Sequence, residues 1–136
     1  MAYITPATDI TDVDVKQFVT ASDARLANWL AELDAEIEAL AYERGLTHDD
    51  IHTTLNPVCK SYAISFYCYI VFRDNVGSTN PDTSENEKYL RKLEIYGAEC
   101  TRKRSACTKE LLFEGDHDEN IDSLKRIPAN VLYRGD

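Results

Sequence analysis

The chain has 136 residues, a formal net charge of −9, and only 5 Gly, 4 Pro and 4 Cys. That length suits one domain able to bury its own core, and the scarcity of turn-formers argues against a many-turned β-sandwich and for helices. The acidic balance argues against a tight nonspecific grip on nucleic acid. The opening Met1-Ala2-Tyr3-Ile4-Thr5-Pro6 has no basic or apolar leader, so it does not read as a secretory signal, and the cysteines are expected as reduced thiols in a cytoplasm.

In chain order, Tyr3 to Thr8 reads as an extended entry, with Pro6 holding Thr5 away from helical angles. A short helix is expected at Asp9 to Val19, capped by Thr11 or Asp12, with Val15, Phe18 and Val19 inward. Ser22 is placed to cap a long helix over Asp23 to Arg44. Its apolar positions Leu26, Trp29, Leu30, Leu33, Ile37 and Leu40 form one stripe, leaving Glu32, Glu36, Glu38 and Glu43 mostly in water. Gly45 then suits the left-handed residue that closes a helix. Thr47-His48-Asp49-Asp50 has the form of a capping box opening a short helix.

The most informative stretch follows. Asn56 suits an N-cap and Pro57 the first helical position. From Val58 to Phe72 only Lys60, Ser61 and Ser65 are frankly polar, and Phe66 to Phe72 is apolar in every direction round a helix. Such a rod must be covered on all sides, by its own domain or by another chain, and it is too short to span a bilayer, which takes roughly 20 apolar residues. A strand over Phe66 to Phe72 is the rival, given its aromatic and β-branched content; the cap and the length of the run favour helix. Phe66, Tyr67, Tyr69 and Phe72 are therefore candidates for a subunit interface, together with Arg102 and Arg104.

Asn75 to Ser84 is polar and turn-rich, a loop. Thr83 or Ser84 caps a last long helix to about Phe113, its stripe formed by Tyr89, Leu93, Tyr96, Cys100, Cys107 and Leu111. Acids in its first turn and bases towards its end complement the helix dipole, and Gly97 at mid-helix marks a bend or a close helix contact. The core is expected to unite Trp29, Leu33, Ile37, Tyr62, Phe66, Ile70, Leu93 and Tyr96. From Gly115 an acidic spacer leads to Ile127, Pro128, Val131, Leu132 and Tyr133, which read either as an arm that docks elsewhere or as a flap over the chain's own core. The fold class is thus all-α, a bundle of about four helices over 1–114, with a spacer and arm over 115–136.

Three constellations bear on chemistry. His48-Asp49-Asp50-Ile51-His52 mimics a zinc motif, but Asp replaces Glu and a third ligand is lacking, so an exposed capped turn is the better account. Cys59, Cys68, Cys100 and Cys107 contain no C-x-x-C pair and read as buried thiols. Arg102-Lys103-Arg104, with Lys109, reads as a salt-bridging or partner-facing patch more than a DNA reader. No catalytic residue, metal or other cofactor is assigned.

The layout resembles the head–tail connector, or adaptor, proteins of tailed bacteriophages, prophages and gene-transfer particles. The elements that carry it are the Tyr3-Ile4-Thr5-Pro6 opening, a short helix, the Leu26-Trp29-Leu30-Leu33-Ile37-Leu40 helix, an apolar Tyr62-Ala63-Ile64 helix, another helix, and an extended tail ending Val131-Leu132-Tyr133-Arg134-Gly135. The resemblance is one of layout and length over nearly the whole chain. It implies a virion protein, assembled in the host bacterial cytoplasm, forming a homo-oligomeric, typically dodecameric ring under the portal protein. Such a ring extends the DNA channel without specific DNA binding and presents a platform for a tail-side completion or tail terminator protein. A non-virion helical regulator or interaction module, and a metal-dependent enzyme using His48 and His52, are the alternatives from other classes.

Overall fold

Pro57 opens the helix about which the others pack. The computed structural model describes residues 3–76 and 84–114, and every regular element among them is helical. In order these are α1 (Pro6–Asp9), α2 (Val13–Thr20), α3 (Leu26–Glu43), a 3-10 turn (His48–Asp50), α4 (Pro57–Asn75), α5 (Ser84–Ala106) and α6 (Lys109–Glu114). The result is a small helical bundle.

Helix α4 has the limits expected from Asn56-Pro57: the Asn56 side chain accepts the Val58 N–H at 2.9 Å, and Pro57 sits at the first position. It lies along α5 over most of its length and also meets α2, α3 and α6. Tyr62, Tyr67, Ile70, Val71 and Phe72 are all buried, so the rod that is apolar all round is covered largely by its own chain. Trp29, Leu33, Ile37 and Leu40 of α3 supply the facing wall, and Tyr3, Ile4, Ile10, Leu46, Ile51, Leu55, Cys107 and Leu112 close the ends. Phe66, Leu93 and Tyr96 join this core from its partly exposed margin.

Several boundaries move for identifiable reasons. Thr5 is extended, as Pro6 requires, but Pro6 itself begins the single turn of α1, so the extended entry ends sooner than the sequence suggests. Asp12 caps α2 through the Asp14 N–H at 2.9 Å, and the helix starts at Val13 because Ile10 turns into the core in extended conformation. Ser22 does not cap α3. It stands at φ 55°, while Asp23 accepts the Arg25 N–H at 2.9 Å and delays the helix to Leu26.

Gly45, at φ 86°, ends α3 as expected: the Leu46 N–H reaches the Ala41 carbonyl at 2.8 Å and the Gly45 N–H that of Tyr42 at 3.0 Å. This pair of bonds closes the helix and turns Leu46 into the core. The expected helix to Phe113 is in fact two. Arg44 Nε and Nη2 donate to the carbonyls of Cys107 and Arg104, at 3.0 and 3.1 Å. Those carbonyls lie at the end of α5, where intrahelical partners run out, so the chain is free to turn and return as α6, burying Leu112. Gly97 is a close helix contact, since a Cβ there would lie 3.4 Å from Tyr69 Cε1.

Candidate functional site

The interface residues expected on α4 divide into two pairs. Tyr67 and Phe72 are fully buried within the chain and cannot meet a neighbour without unfolding it. Tyr67 packs edge-on to Trp29, and Phe72 stacks on Tyr96 with centroids 5.9 Å apart and planes at 14°. Phe66 and Tyr69 are only partly buried and remain at the surface. With Tyr62 they form an aromatic ladder, centroids 6.2 and 6.5 Å apart, along one side of the α4–α5 seam.

This ladder floors a cleft of about 290 Å³, bounded also by Glu36, Gly97 and Arg104. The Tyr62 hydroxyl donates to Glu36, and burial, followed by that carboxylate, pushes its ionisation well above the ordinary range. Arg104 Nε reaches Glu36 at 2.8 Å, and its two terminal nitrogens grip Glu43 at 2.8 and 2.7 Å. Three of its five N–H groups are thus held by carboxylates, which makes the guanidinium a clamp between α5 and α3 more than a hand offered to a partner. Arg102, two residues earlier, is exposed beside Lys103, Pro57, Val58, Ser61 and Ala106.

The acids of α3 are also engaged. Glu32 receives Arg73 at 2.6 and 2.9 Å, and Glu38 meets His48 at 3.0 Å. The stripe correctly placed them off the core; Arg73 comes from an element distant in sequence, whereas His48 follows Glu38 by ten residues.

A second polar assembly joins α5 to α2. Asp12 accepts from Lys92 at 2.8 Å, from the Tyr96 hydroxyl at 2.6 Å and from the Asp14 N–H, and its side chain is 7% exposed. Burial alone would raise the Asp12 pKa, but the bonds from Lys92, Tyr96 and the Asp14 N–H together hold it below the usual carboxylate value. A group depressed in the folded state adds stability that is complete above its unfolded pKa, near 3.8, and fades as pH falls through the folded value. Asp12→Asn is expected to lower stability at pH 7 by about 1.5–3 kcal/mol, the worth of charged hydrogen bonds. It should also flatten the loss of stability below pH 4, which urea midpoints measured from pH 7 to pH 3 would reveal.

The buried Tyr67 hydroxyl has no hydrogen-bond partner among the described residues, and burial pushes its pKa up to about 12. Replacing it with Phe removes an unsatisfied polar group and leaves the ring packing intact. Tyr67→Phe should hold or raise the melting temperature; a clear fall would show that the hydroxyl has a partner.

His48 and His52 do not share a helical face. The Thr47 and Asp50 capping box forms as expected, with the Thr47 N–H on Asp50 at 2.9 Å, but the turn it opens is 3-10 and stops at Asp50. His52 then lies in the following loop against the Thr54 backbone. Among the described residues no three His, Cys, Asp or Glu side chains converge as a metal would require. His48→Ala with His52→Ala is expected to leave the helical spectrum and melting temperature unchanged. Stoichiometric zinc in the purified protein, lost in that double variant, would contradict this.

All four cysteines are free, with Cys59, Cys68 and Cys107 buried and Cys100 partly so. Spacing within helices does not disclose that the Cys59 and Cys107 thiols adjoin across the junction of α4 with the α5–α6 turn.

Ile127, Pro128, Val131, Leu132 and Tyr133 lie outside the described residues, as does the spacer before them. Among the described residues no helix is long and apolar enough to cross a membrane. No family model matches the chain, and neither a curated protein nor a solved structure does.

Proposed function

We propose that this protein is a structural assembly subunit, a head–tail connector that forms a ring between the portal and the tail of a bacteriophage-like particle. The observation that supports assembly most directly is the placement of α5. Of its 23 residues only Asn86 and Tyr89 are buried, and Leu90 and Ile95 are 44% and 51% exposed. A long helix covered by its own chain along one narrow strip has an outer face available to a second copy. The partly exposed Phe66 and Tyr69 and the exposed Arg102 extend that surface around the α4–α5 seam.

The connector role itself rests on the layout of helices and tail, and on the charge. A subunit carrying −9 suits the wall of a conduit through which DNA passes without being held. In this reading the protein is not an enzyme, needs no cofactor, and works in the virion after assembly in the host cytoplasm. Its partners are the portal protein, further copies of itself in a dodecameric ring, and a tail-side completion or terminator protein. Tyr67 and Phe72 take no part in the interface, being committed to the core.

Light-scattering mass across a concentration series, alone and with a portal ring from the same genome, tests the proposal. A ring mass, or stoichiometric capture on the portal, is expected. A single-subunit mass throughout with no portal complex would favour a helical interaction module with no virion role.

A further inference from the structure

On the other side of the α4–α5 seam lies a groove of about 380 Å³, lined by Pro57, Val58, Ser61, Arg102, Lys103 and Ala106. Its floor is apolar, and Val58 is 42% exposed although it belongs to the first turn of the core helix. Its rim is basic. Lys103 is occupied by Glu99 at 3.2 Å and by the Ser65 hydroxyl at 2.9 Å, whereas Arg102 is exposed and meets no carboxylate among the described residues. An apolar trough beside an uncompensated guanidinium fits a peptide that joins carboxylates to large apolar side chains.

This chain carries such a peptide. Asp116, Asp118, Glu119 and Asp122 precede Ile127, Val131, Leu132 and Tyr133. The segment follows the groove closely in sequence: Ala106 lines it, and α6 ends at Glu114, eight residues later. The residues from 115 to 126, if extended, reach about 40 Å, ample for a return to Arg102. Covalent attachment also gives the segment an effective concentration on the order of millimolar, so it outcompetes a free peptide of equal affinity.

The geometry points to this groove as the seat of the chain's own segment 115–136. The carboxylates of Asp116 to Asp122 face Arg102 and Lys103, and the apolar residues from Ile127 to Tyr133 cover Pro57, Val58 and Ala106. The inference concerns the isolated subunit and does not depend on the connector reading, in which the same segment passes from this groove to the portal or a neighbouring subunit on assembly.

The test uses the full chain with a benzophenone amino acid in place of Tyr133, irradiated at low micromolar concentration. The expected product has the mass of one chain, with the cross-link mapping to residues 57–61 or 102–106. Arg102→Glu should cut its yield roughly tenfold, the scale of one lost charge-assisted contact, with the helical spectrum unchanged because that residue is exposed. Val58→Asp provides a second, independent disruption of the floor. Cross-links mapping elsewhere, a product of two-chain mass, no product, or a yield insensitive to both substitutions would each overturn the assignment.

Discussion

Leu33→Ala is expected to destabilise the bundle by about 2–5 kcal/mol, the range for truncating a fully buried leucine. Leu33 is wholly buried midway along α3 and belongs to the core shared with α4. Its replacement removes methyl groups from a site enclosed by rigid neighbours and leaves a cavity that the backbone can only partly close. For a chain of this size the melting temperature should fall by roughly 10 °C. Leu90→Ala provides the control, because Leu90 is 44% exposed on the outer face of α5; there the change should stay within about 0.5 kcal/mol. Equal effects at the two positions would mean that α3 does not face the core as described.

Removal of Asp122–Asp136 should have the opposite profile: little change in stability and a large loss of assembly. The core closes within residues 3–112, so the helical signal and melting temperature should be nearly retained. The lost residues include Ile127, Val131, Leu132 and Tyr133, each worth on the order of 1.5–3 kcal/mol when moved from water to an apolar surface. Losing two such contacts weakens association by about a hundredfold or more, so ring formation or portal binding should disappear at micromolar concentrations. If the truncated chain unfolds, the segment belongs to its own core and the docking role fails. If it folds and still assembles, the contact surface lies on the helices, with the Arg102 face the first place to look.

The comparison of sequence with structure turns on which interactions are local. Asn56-Pro57 fixed the start of α4, Gly45 the close of α3, and Thr47 with Asp50 the capping box, because a cap is a bond between residues two to five positions apart. The stripe from Leu26 to Leu40 likewise predicted which face of α3 is buried, since helical period alone decides it. Periodicity failed on α4 for the same physical reason: a helix apolar all round has no preferred face. Only the packing of α3 and α5 determined that Tyr67 and Phe72 are interior while Phe66 and Tyr69 remain at the rim.

The polar pairings were equally invisible. Arg44 ends α5 from the far end of α3, Asp12 binds Lys92 and Tyr96, and Arg104 clamps Glu36 and Glu43, with partners about 60 to 80 residues apart. An ionic contact between distant segments depends on where the helices cross, and charge sequence alone does not encode that crossing. The sequence by itself therefore determined the long helices, several of their caps and the buried face of α3. Tertiary packing decided what covers the aromatic rod, where α5 breaks, and which of its basic residues, Arg104 but not Arg102, meets the carboxylates of α3.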